Sequence, residues 1–531
     1  MSRKMIVLIL VLALSAFSAA ALADVEEGLF RTAANYDITT MDVALTSDDY
    51  MVPMNVFDRL FETRPSPEGA VVENSLAADY KVSDDGLTYE FTLLEGVKFS
   101  NGNPLTASDV KFTFERLLKK ADMNTDIPEE VAGGPEMLEG KADSLEGFTV
   151  KDDTHFSITL RAPNAGFLAE LSSPGMSIVD EETVTAAGSF GTGPADTIGS
   201  GPYKVTEWET NDHFTLEYNP AYRGQEPSVK KAIISIVKEA AVQDAKFQMG
   251  DMDLIDLKNL DSRIVEKSYT NNPLYADRIV RVPAVGLTMM VLNQSNEFLK
   301  NQKVRQAIAQ AIDMDQIIQG IYGGEAQQEK GIIPTGVQGY NPDLKGFAYD
   351  PEGAKALLKE AGYTEGQVTF EMSLDEESAS PNIKNVYNAV WGMLNAVGIR
   401  TEIKNYDHSG WLEKRKSGTM DSFIATWLMD YNDPANIMNT FFGGEEQVKM
   451  RSLNYPDKEI IARVAKAPSI TDHDAWIAEY RDLEKKIIEE DVAWVPLFEY
   501  NHLFCLGERV ESFTPQWAGF SNFYLTDVVL K

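Results

Sequence analysis

The stretch that decides the fold is Leu76-Ala-Ala-Asp-Tyr-Lys-Val-Ser-Asp-Asp-Gly-Leu-Thr-Tyr-Glu-Phe-Thr-Leu93. Its centre, Asp85-Gly86, is a dipeptide typical of tight hairpin turns. From Leu87 to Leu93 every second residue is apolar, which is the period of a strand with one buried face. The stretch therefore predicts an antiparallel hairpin whose inner face covers a hydrophobic core.

Helix and strand signals continue on the C-terminal side of this hairpin. Phe99-Ser-Asn-Gly-Asn-Pro-Leu-Thr106 leads into a predicted helix, and Thr106 with Asp109 three residues later resembles a capping box. Alternating apolar residues then predict a second hairpin that turns at Asp152-Asp153 and a strand pair at 203–205 and 214–218. Val52, Asn55, Val56, Arg59 and Leu60 suit one helix, with Asp49, Tyr50 and Met51 as its entry loop.

The second half of the chain alternates between helix and strand patterns. Residues 301–313 form an amphipathic helix with apolar residues at helical spacing, and Asp350-Pro351 starts another helix that stops at Gly362. Strand-like 368–372, helical 383–397 and strand-like 400–403 follow. This order predicts an α/β architecture.

The segment from Leu76 to Arg116 resembles the signature region of the family 5 solute-binding proteins, the peptide/nickel-type binding proteins of ABC importers. Gly199–Trp208 and Phe214–Gly224 are similar to the central strand pair of that family, and the resemblance covers essentially the whole mature chain. It implies an α/β, two-lobed periplasmic binding protein fold with a hinge-closing cleft and an extra inserted small domain.

The resemblance also implies a division of the chain. Lobe one is expected to be discontinuous, with segments 24–70, 188–285 and 503–531; the inserted small domain is 71–187, and lobe two is 286–502. No Pro/Gly-rich linker separates these segments. The absence of linkers suits lobes that are joined by crossing strands.

Composition limits the classes of protein. A chain of 531 residues is too long for one hydrophobic core, and 44% hydrophobic with 24% charged residues is ordinary for a soluble globular protein. The net charge of −34 repels nucleic acid and anionic lipid, so neither is an expected partner. We expect a monomer.

The N-terminus predicts export. Two basic residues precede an apolar run from Met5 to Phe17, and the small residues Ala21-Leu-Ala23 end it, so we expect a signal peptide at 1–23 that is cut before Asp24. The alternative, a membrane anchor, needs a longer apolar run. The residue directly after the cut is Asp24 and not a cysteine to which a lipid could be attached. We therefore expect a periplasmic protein that is not a lipoprotein. Cys505 is the only cysteine and excludes an internal disulfide.

A second stretch carries the candidate site: Trp427-Leu-Met-Asp-Tyr-Asn-Asp-Pro434. Asp433 and Pro434 read as the N-cap and first residue of a helix. Asp430 follows an apolar segment, where a partly desolvated carboxylate needs a cation. Asp430 is either a turn residue or the partner of a protein Lys or Arg, or its partner is a ligand. Oligopeptide- and dipeptide-binding members carry an acid in a similar motif that holds the α-ammonium of the peptide, and this resemblance implies that role for Asp430.

An extended peptide also needs partners for its backbone. The candidates are Thr426, Trp427 and Leu428 in lobe two, and Asp49, Tyr50 and Met51 in lobe one. Trp427 and Tyr50 equally suit plain core or cleft wall.

The peptide carboxylate needs a cation, and Arg415 lies where oligopeptide binders place an arginine. The alternative for Arg415 is a solvated basic helix face. A second arginine of those binders is absent, since Ile424 stands at its position.

We therefore expect a periplasmic substrate-binding protein that captures peptides and delivers them to an ABC transporter membrane permease, with no cofactor and no enzymatic activity. Opines, oligosaccharides, chelated nickel and haem are alternative cargoes. The five histidines lack metal-ligand spacing. A secreted hydrolase would need a motif such as Gly-x-Ser-x-Gly or His-Glu-x-x-His, and the sequence has neither. A periplasmic chaperone is the remaining class.

Overall fold

A computed structural model describes residues 26–46, 50–66, 69–120, 122–186, 189–518 and 522–531. The predicted signal peptide, residues 1–23, lies outside these ranges, and so does Asp49. None of the helices in the described ranges has both the length and the apolar character needed to cross a membrane.

The strands of the described residues form two four-stranded sheets, one eight-stranded sheet, called the extended sheet below, and two two-stranded ribbons. One sheet has the order β1 (Leu29–Ala34), β10 (Lys231–Ile236), β9 (His213–Tyr218) and β8 (Tyr203–Glu209). A second has the order β4 (Ala77–Val82), β5 (Thr88–Leu93), β7 (His155–Thr159) and β6 (Phe148–Val150). The ribbons are β2 (Phe61–Ser66) with β3 (Gly69–Asn74), and β19 (Val510–Phe513) with β20 (Val528–Leu530).

The extended sheet runs in the order β11 (Leu254–Asp256), β18 (Trp494–Leu506), β13 (Gly286–Leu292), β17 (Ser422–Leu428), β15 (Thr369–Asp375) and β16 (Arg400–Tyr406), and β12 (Ile279–Pro283) and β14 (Ala326–Gln328) also pair with β18.

Helices cover the sheets. In chain order they are α1 Pro53–Val56, α2 Ala107–Lys120, α3 Asp126–Glu129, α4 Gly134–Leu138, α5 Phe167–Glu170, α6 Glu181–Ala186, α7 Ala240–Gln248, α8 Ser262–Val265, α9 Gln302–Ala311, α10 Met314–Tyr322, α11 Pro351–Glu360, α12 Pro381–Ala396, α13 His408–Lys416, α14 Ala435–Phe442, α15 Glu445–Met450, α16 Lys458–Lys466 and α17 His473–Lys485.

The extended sheet is buried on both faces around β13. Leu287, Met289 and Val291 belong to the core on one face, while Met290 and Leu292 belong to the core on the other. A strand that is apolar at nearly every position, here with Thr288 as the polar exception, is typical of burial on both faces. This double burial fixes the neighbouring strand β17, and with it the residues of the candidate site.

The predicted hairpin at residues 76–93 is confirmed. Strands β4 and β5 pair antiparallel, and Gly86 has φ +71°, the left-handed conformation that favours glycine in a turn. The capping box is also present, because the Asp109 carboxylate accepts hydrogen bonds from the Thr106 N–H (2.8 Å) and hydroxyl (2.9 Å).

Two predicted helix boundaries are wrong. The helix expected over 52–60 is only α1, because Phe57 turns extended (ψ 147°) and the Val56 carbonyl accepts the N–H of Gly201 at 2.8 Å. The helix expected to begin at Pro434 begins at Ala435. Asp433 still satisfies its first turn, since the Ala435 N–H donates to Asp433 Oδ1 at 2.7 Å.

The molecule has two lobes. Ala165 N–H donates to the Pro468 carbonyl at 3.0 Å, and Asn432 Nδ2 donates to the Ala70 carbonyl at 3.1 Å. These bonds connect the first part of the chain to the part that carries the candidate site. The boundaries of lobe one, the inserted domain and lobe two stay a prediction.

Candidate functional site

Asp430 lies just beyond the end of β17, at the turn into α14. Asn436 lies in the first turn of α14 and is 3% exposed. Its side chain forms hydrogen bonds with both Asp430 and Trp427. Its Nδ2 donates to Asp430 Oδ2 at 3.1 Å, and its Oδ1 accepts from the Trp427 indole (2.9 Å) and the Asp430 N–H (3.2 Å). The carboxylate is therefore held by one neutral amide, in a fixed relation to Trp427.

The charge of Asp430 is poorly compensated. Burial raises the pKa of its carboxyl to about 6, and the negative charge of Asp126 raises it further, while the Asn436 hydrogen bond and the charge of Arg451 oppose the rise. Asp430 forms no salt bridge with any residue that the structure describes. The pairing with a protein Lys or Arg that the sequence left open is thus not observed, and a ligand cation would find an unpaired anion here.

Further acids are buried close to Asp433, three residues after Asp430. Burial raises the pKa of Asp433 to about 7 and that of Glu170 well above its usual range. Asn164 Nδ2 lies between two acids, donating to Glu130 Oε2 at 2.7 Å and to Glu170 Oε1 at 3.0 Å. The raised pKa values leave these acids largely protonated near neutral pH, and the charge of Asp126 is the one that favours a cation beside Asp430.

Trp427 forms a wall beside Asp430. Its ring packs edge-to-face on Phe441, with centroids 5.6 Å apart, and the guanidinium carbon of Arg451 lies 5.1 Å from the Trp427 centroid. The ring is therefore fixed on three sides by Asn436, Phe441 and Arg451.

The side chains of Thr426 and Leu428 point to the face of β17 opposite that of Trp427, because alternate residues of a strand point to opposite faces. Thr426 Oγ1 lies 2.8 Å from Thr288 Oγ1 on β13 and borders a cavity of about 300 Å³. Asp430 does not border this cavity. The cavity is bounded by Asn35 and by residues from 257–270, 322–325, 378–383 and 500–503.

The edge of β17 that faces this cavity is open. Strand β15 pairs with β17 only at Met372 and Ser422, so the two parallel strands diverge beyond that point. The Met429 N–H donates to the carbonyl of Val285, just before β13, and Trp427 lies opposite Leu287, so the backbone groups of Thr426 and Leu428 point away from β13. They point toward the opening at the carboxyl ends of β15 and β17, the usual ligand position in such sheets.

The predicted lobe-one residues have different environments. The Tyr50 hydroxyl donates to Asn124 Oδ1 at 3.1 Å, and Asn124 precedes Asp126, whose charge acts on Asp430. The fold therefore brings Tyr50 and Asp430 to one region. Met51 is 9% exposed and packs in the lobe-one core. Its predicted contact with a ligand backbone stays a prediction.

Arg415 lies in the last turn of α13. Its guanidinium carbon is 5.2 Å from the Trp411 ring centroid, and burial lowers its pKa. The Nε of Arg415 is buried and has no hydrogen-bond acceptor among the described residues. The arginine is therefore not on a freely solvated helix face.

Sequence reasoning missed Asn436, Asp126 and Arg451. Asn436 could have been predicted from the sequence, because a helix that starts near Pro434 has Asn436 in its first turn, next to Asp430. Asp126 and Arg451 reach the site only through the tertiary fold, and no local pattern distinguishes them. Among the described residues, no group of three or more His, Cys, Asp and Glu side chains is arranged to hold a metal ion.

Comparisons with known proteins place this geometry in context. The family model described as bacterial extracellular solute-binding proteins, family 5 Middle, matches residues 71–448. The probable D,D-dipeptide-binding periplasmic protein DdpA of Escherichia coli (strain K12) is 28% identical over 488 residues, with 90% of this chain and 89% of DdpA covered. Heme-binding protein A of Haemophilus influenzae is 27% identical, with 88% and 86% covered.

A solved structure shares the fold. The periplasmic binding protein DppA of Helicobacter pylori, in complex with the peptide STSA, superposes with a TM-score of 0.75 at 24% sequence identity. The match covers 94% of this chain and 97% of that one. The two-lobed architecture is therefore shared over nearly the whole length of both chains.

Proposed function

Because the chain belongs to the family 5 bacterial extracellular solute-binding proteins, we propose that it captures short peptides with a free α-amino group and presents them to an ABC import permease. The observation that carries this proposal is Asp430, a desolvated carboxylate without a salt bridge in the described part of the chain. A ligand ammonium group would compensate the charge of this carboxylate and form a charge-assisted hydrogen bond with it. A neutral group at the same place would leave the acid unpaired, which costs several kcal/mol.

The open edge of β17 supports a peptide as the cargo. An extended segment that lies along Thr426 and Leu428 can pair its N–H and C=O groups with theirs, as an added strand does. Asp49, Tyr50 and Met51 are the proposed partners from lobe one. Side chains of the cargo would then enter the cavity beside Thr426.

The proposed cycle is that of an importer receptor. A peptide that contacts both lobes binds the closed form better and so shifts the hinge equilibrium toward closure. In this proposal the protein works as a monomer in the periplasm, after its signal peptide is cut before Asp24, and it has no lipid anchor. An affinity near 1 μM, about −8 kcal/mol, allows both capture and release.

The test is calorimetric titration of the purified protein with trialanine and with N-acetyl-trialanine. We expect trialanine to bind the natural protein and the acetylated peptide to bind at least about 100-fold more weakly, because acetylation removes the charge that Asp430 pairs with. In Asp430→Asn both peptides should bind weakly. The matched control is Glu413→Gln, an exposed acid on α13, which should leave both affinities unchanged.

Two results would contradict the proposal. One is equal binding of both peptides to Asp430→Asn and to the natural protein. The other is shortened trialanine in the mass spectrum after the titration, which would indicate a hydrolase. Mass spectrometry of the freshly purified protein also weighs any co-purified ligand, and a haem or chelated-metal mass there would replace peptide as the cargo.

A further inference from the structure

Glu499 lies where β18 passes from one set of partner strands to another. Residues Trp494–Phe498 of β18 pair with β13, and the segment from Asn501 onward pairs with β12. At this junction Glu499 lies opposite Gln327 on β14. Its side chain points to the face of β18 opposite that of Tyr500, which borders the cavity of about 300 Å³. Glu499 therefore belongs to a different part of the molecule from the proposed peptide site.

A second carboxyl group contacts Glu499. Glu329 follows β14, and its backbone N–H donates to the Leu497 carbonyl on β18 at 3.1 Å. The side chains of Glu329 and Glu499 are hydrogen-bonded to each other, and each residue is 4% exposed. Two carboxyl groups can form this bond only when a proton lies between them. Burial raises the pKa of both carboxyls, and the charge of Glu329 raises the pKa of Glu499 further, so the pair keeps this proton near neutral pH.

No salt bridge within the described part of the chain compensates this pair. The charge of Lys330 has a minor influence on the Glu329 carboxyl. The Gln327 amide donates to Glu499 Oε1. The Thr335 hydroxyl donates to Glu329 Oε1 at 3.4 Å. Glu499 Oε2 is buried and accepts a hydrogen bond from no donor in the described ranges, so it is open to a cation.

A structural contact alone does not require two acids at this place. An amide at either position would donate its N–H to the remaining carboxylate without a shared proton. When the shared proton leaves, Glu329 and Glu499 place two like charges in a buried site, which is unfavourable. A positive ion that replaces the proton removes this repulsion.

A cavity beside the pair has room for such an ion. Glu499, Gln327 and Thr335 line a space of about 630 Å³, together with Pro283 of β12 and with Trp517. A water molecule takes about 30 Å³ in the liquid, so the cavity accommodates an ion with several waters. The groups that it offers are carboxylate, amide and hydroxyl oxygens, and no His or Cys is among the residues that line it. Oxygen ligands of this kind suit a hard divalent cation.

We propose that Glu329 and Glu499 hold a calcium ion at this junction, and that side-chain oxygens of Gln327 and Thr335 and water complete its coordination. Ca²⁺ takes about six to eight oxygen ligands in flexible geometry, which suits long side chains around a hydrated cavity. Mg²⁺ demands a near-ideal octahedron and gives up its waters reluctantly, so it should bind more weakly. This site lies apart from the peptide cleft and does not depend on the proposed function.

The test is calorimetric titration of the mature protein with CaCl₂ after treatment with EDTA. About 0.15 M KCl is present throughout, because it screens the acidic surface. We expect one saturable ion for each protein, bound at least about tenfold more weakly at pH 6 than at pH 8, because protons compete for the carboxylates. Titrations in buffers of different ionisation enthalpy should show proton release. MgCl₂ should bind more weakly than CaCl₂ at both pH values.

Variants and a luminescent ion locate the site. Glu499→Gln preserves the shape of the side chain and should lower calcium affinity at least about tenfold. The matched control is Glu413→Gln, an exposed acid on α13, which should leave calcium affinity unchanged. Tb³⁺ bound in place of Ca²⁺ should show luminescence that is sensitised by Trp517 and abolished by excess CaCl₂. Trp517→Phe should lose this luminescence and keep the calorimetric binding of calcium.

Three results would overturn the proposal. One is weak, non-saturating calcium binding that is the same in the natural protein and in Glu499→Gln, which would assign the ion to the acidic surface. Another is binding that is lost in Asp430→Asn and retained in Glu499→Gln, which would place the ion at Asp430. The third is saturable binding that does not change between pH 6 and pH 8. Should Glu499→Gln fail to fold, Glu329→Gln removes the other carboxylate and must show the same loss.

Discussion

The environments of Asp253 and Asp430 differ in the positive charge that compensates each carboxylate. Asp253, 2% exposed, receives Arg31 at 3.1 Å and Arg509 at 3.3 Å. Asp430 receives one amide hydrogen bond and faces the charge of Asp126. The desolvation of Asp253 is offset by two arginines, whereas that of Asp430 is not. A cation that binds Asp430 can recover this free energy.

Peptide affinity should depend on pH through this acid. The pKa of Asp430 is raised to about 6 in the unliganded protein, so the carboxyl is protonated below pH 6 and cannot pair with an ammonium. Trialanine affinity at pH 5 should be about tenfold lower than at pH 7, and it should fall again above about pH 8 as the peptide amine loses its proton. Calorimetry between pH 4.5 and 9 measures this profile.

The bound state should hold Asp430 ionised, so binding near pH 6 releases a fraction of a proton. Titrations in two buffers of different ionisation enthalpy detect this release. In Asp430→Asn both limbs should flatten, because the variant no longer has a carboxylate that pairs with the peptide amine. An acid limb that persists in the variant would assign it to another carboxyl, such as Asp126.

At the residue scale, the sequence predicted the part of the site that is local. Asp430 follows an apolar strand, and that context predicts a partly desolvated carboxylate, whereas its ligand role was implied only by the family resemblance. Asp126 on α3 and Arg451 after α15 act on Asp430 only through the tertiary fold. Contacts of this kind are set by tertiary packing, so a single sequence carries no periodic signal for them.

At the scale of elements, β17 depends on a close approach to β13. A Cβ built on Gly286 would lie 2.3 Å from the Trp427 carbonyl oxygen, a backbone atom that cannot move away freely. Gly286→Ala should therefore displace the end of β17, lower stability by about 1–3 kcal/mol and weaken peptide binding. Chemical denaturation and calorimetry measure the two effects.

A matched glycine provides the control. Gly320 lies inside α10, is exposed, and has no atom within 4 Å of a built Cβ. Gly320→Ala should raise stability by about 0.5–1 kcal/mol and leave binding unchanged. If Gly286→Ala behaves like Gly320→Ala, the packing of β17 on β13 does not position the site.

Most elements followed from local patterns, and the exceptions have a physical cause. Asn301 and Asp350 cap helices α9 and α11 by accepting backbone N–H bonds, and each stands where its helix was predicted to start. The helix expected over 52–60 fails because Gly201, distant in sequence, occupies the Val56 carbonyl. Helical spacing of apolar residues cannot reveal such competition from a remote segment.

At the scale of the whole molecule, β18 connects the regions on either side of the cleft. Its residues Trp494–Phe498 pair with β13, and its residues Asn501–Leu506 pair with β12 and β11. Strands that cross between lobes allow them to rotate by small backbone changes at the crossing. Trialanine should therefore lower the radius of gyration measured by small-angle X-ray scattering.

The same scattering experiment on Asp430→Asn should show no contraction at the peptide concentration that saturates the natural protein. A natural protein that binds trialanine without contraction would contradict closure while leaving the peptide assignment intact. The lobe boundaries were predicted only from a family resemblance, and the crossing point that such a rotation requires would refine them.

The continuity of β18 has a consequence for redesign. Half of a related protein cannot simply replace half of this one, because the junction would cut β18. The two ends of β18 pair with different strands, β13 at one end and β11 and β12 at the other. A chimera built that way would leave backbone amides of both donors without partners. Retargeting this protein to another cargo is therefore a matter of point replacements around the indole of Trp427, carried out within one uninterrupted scaffold.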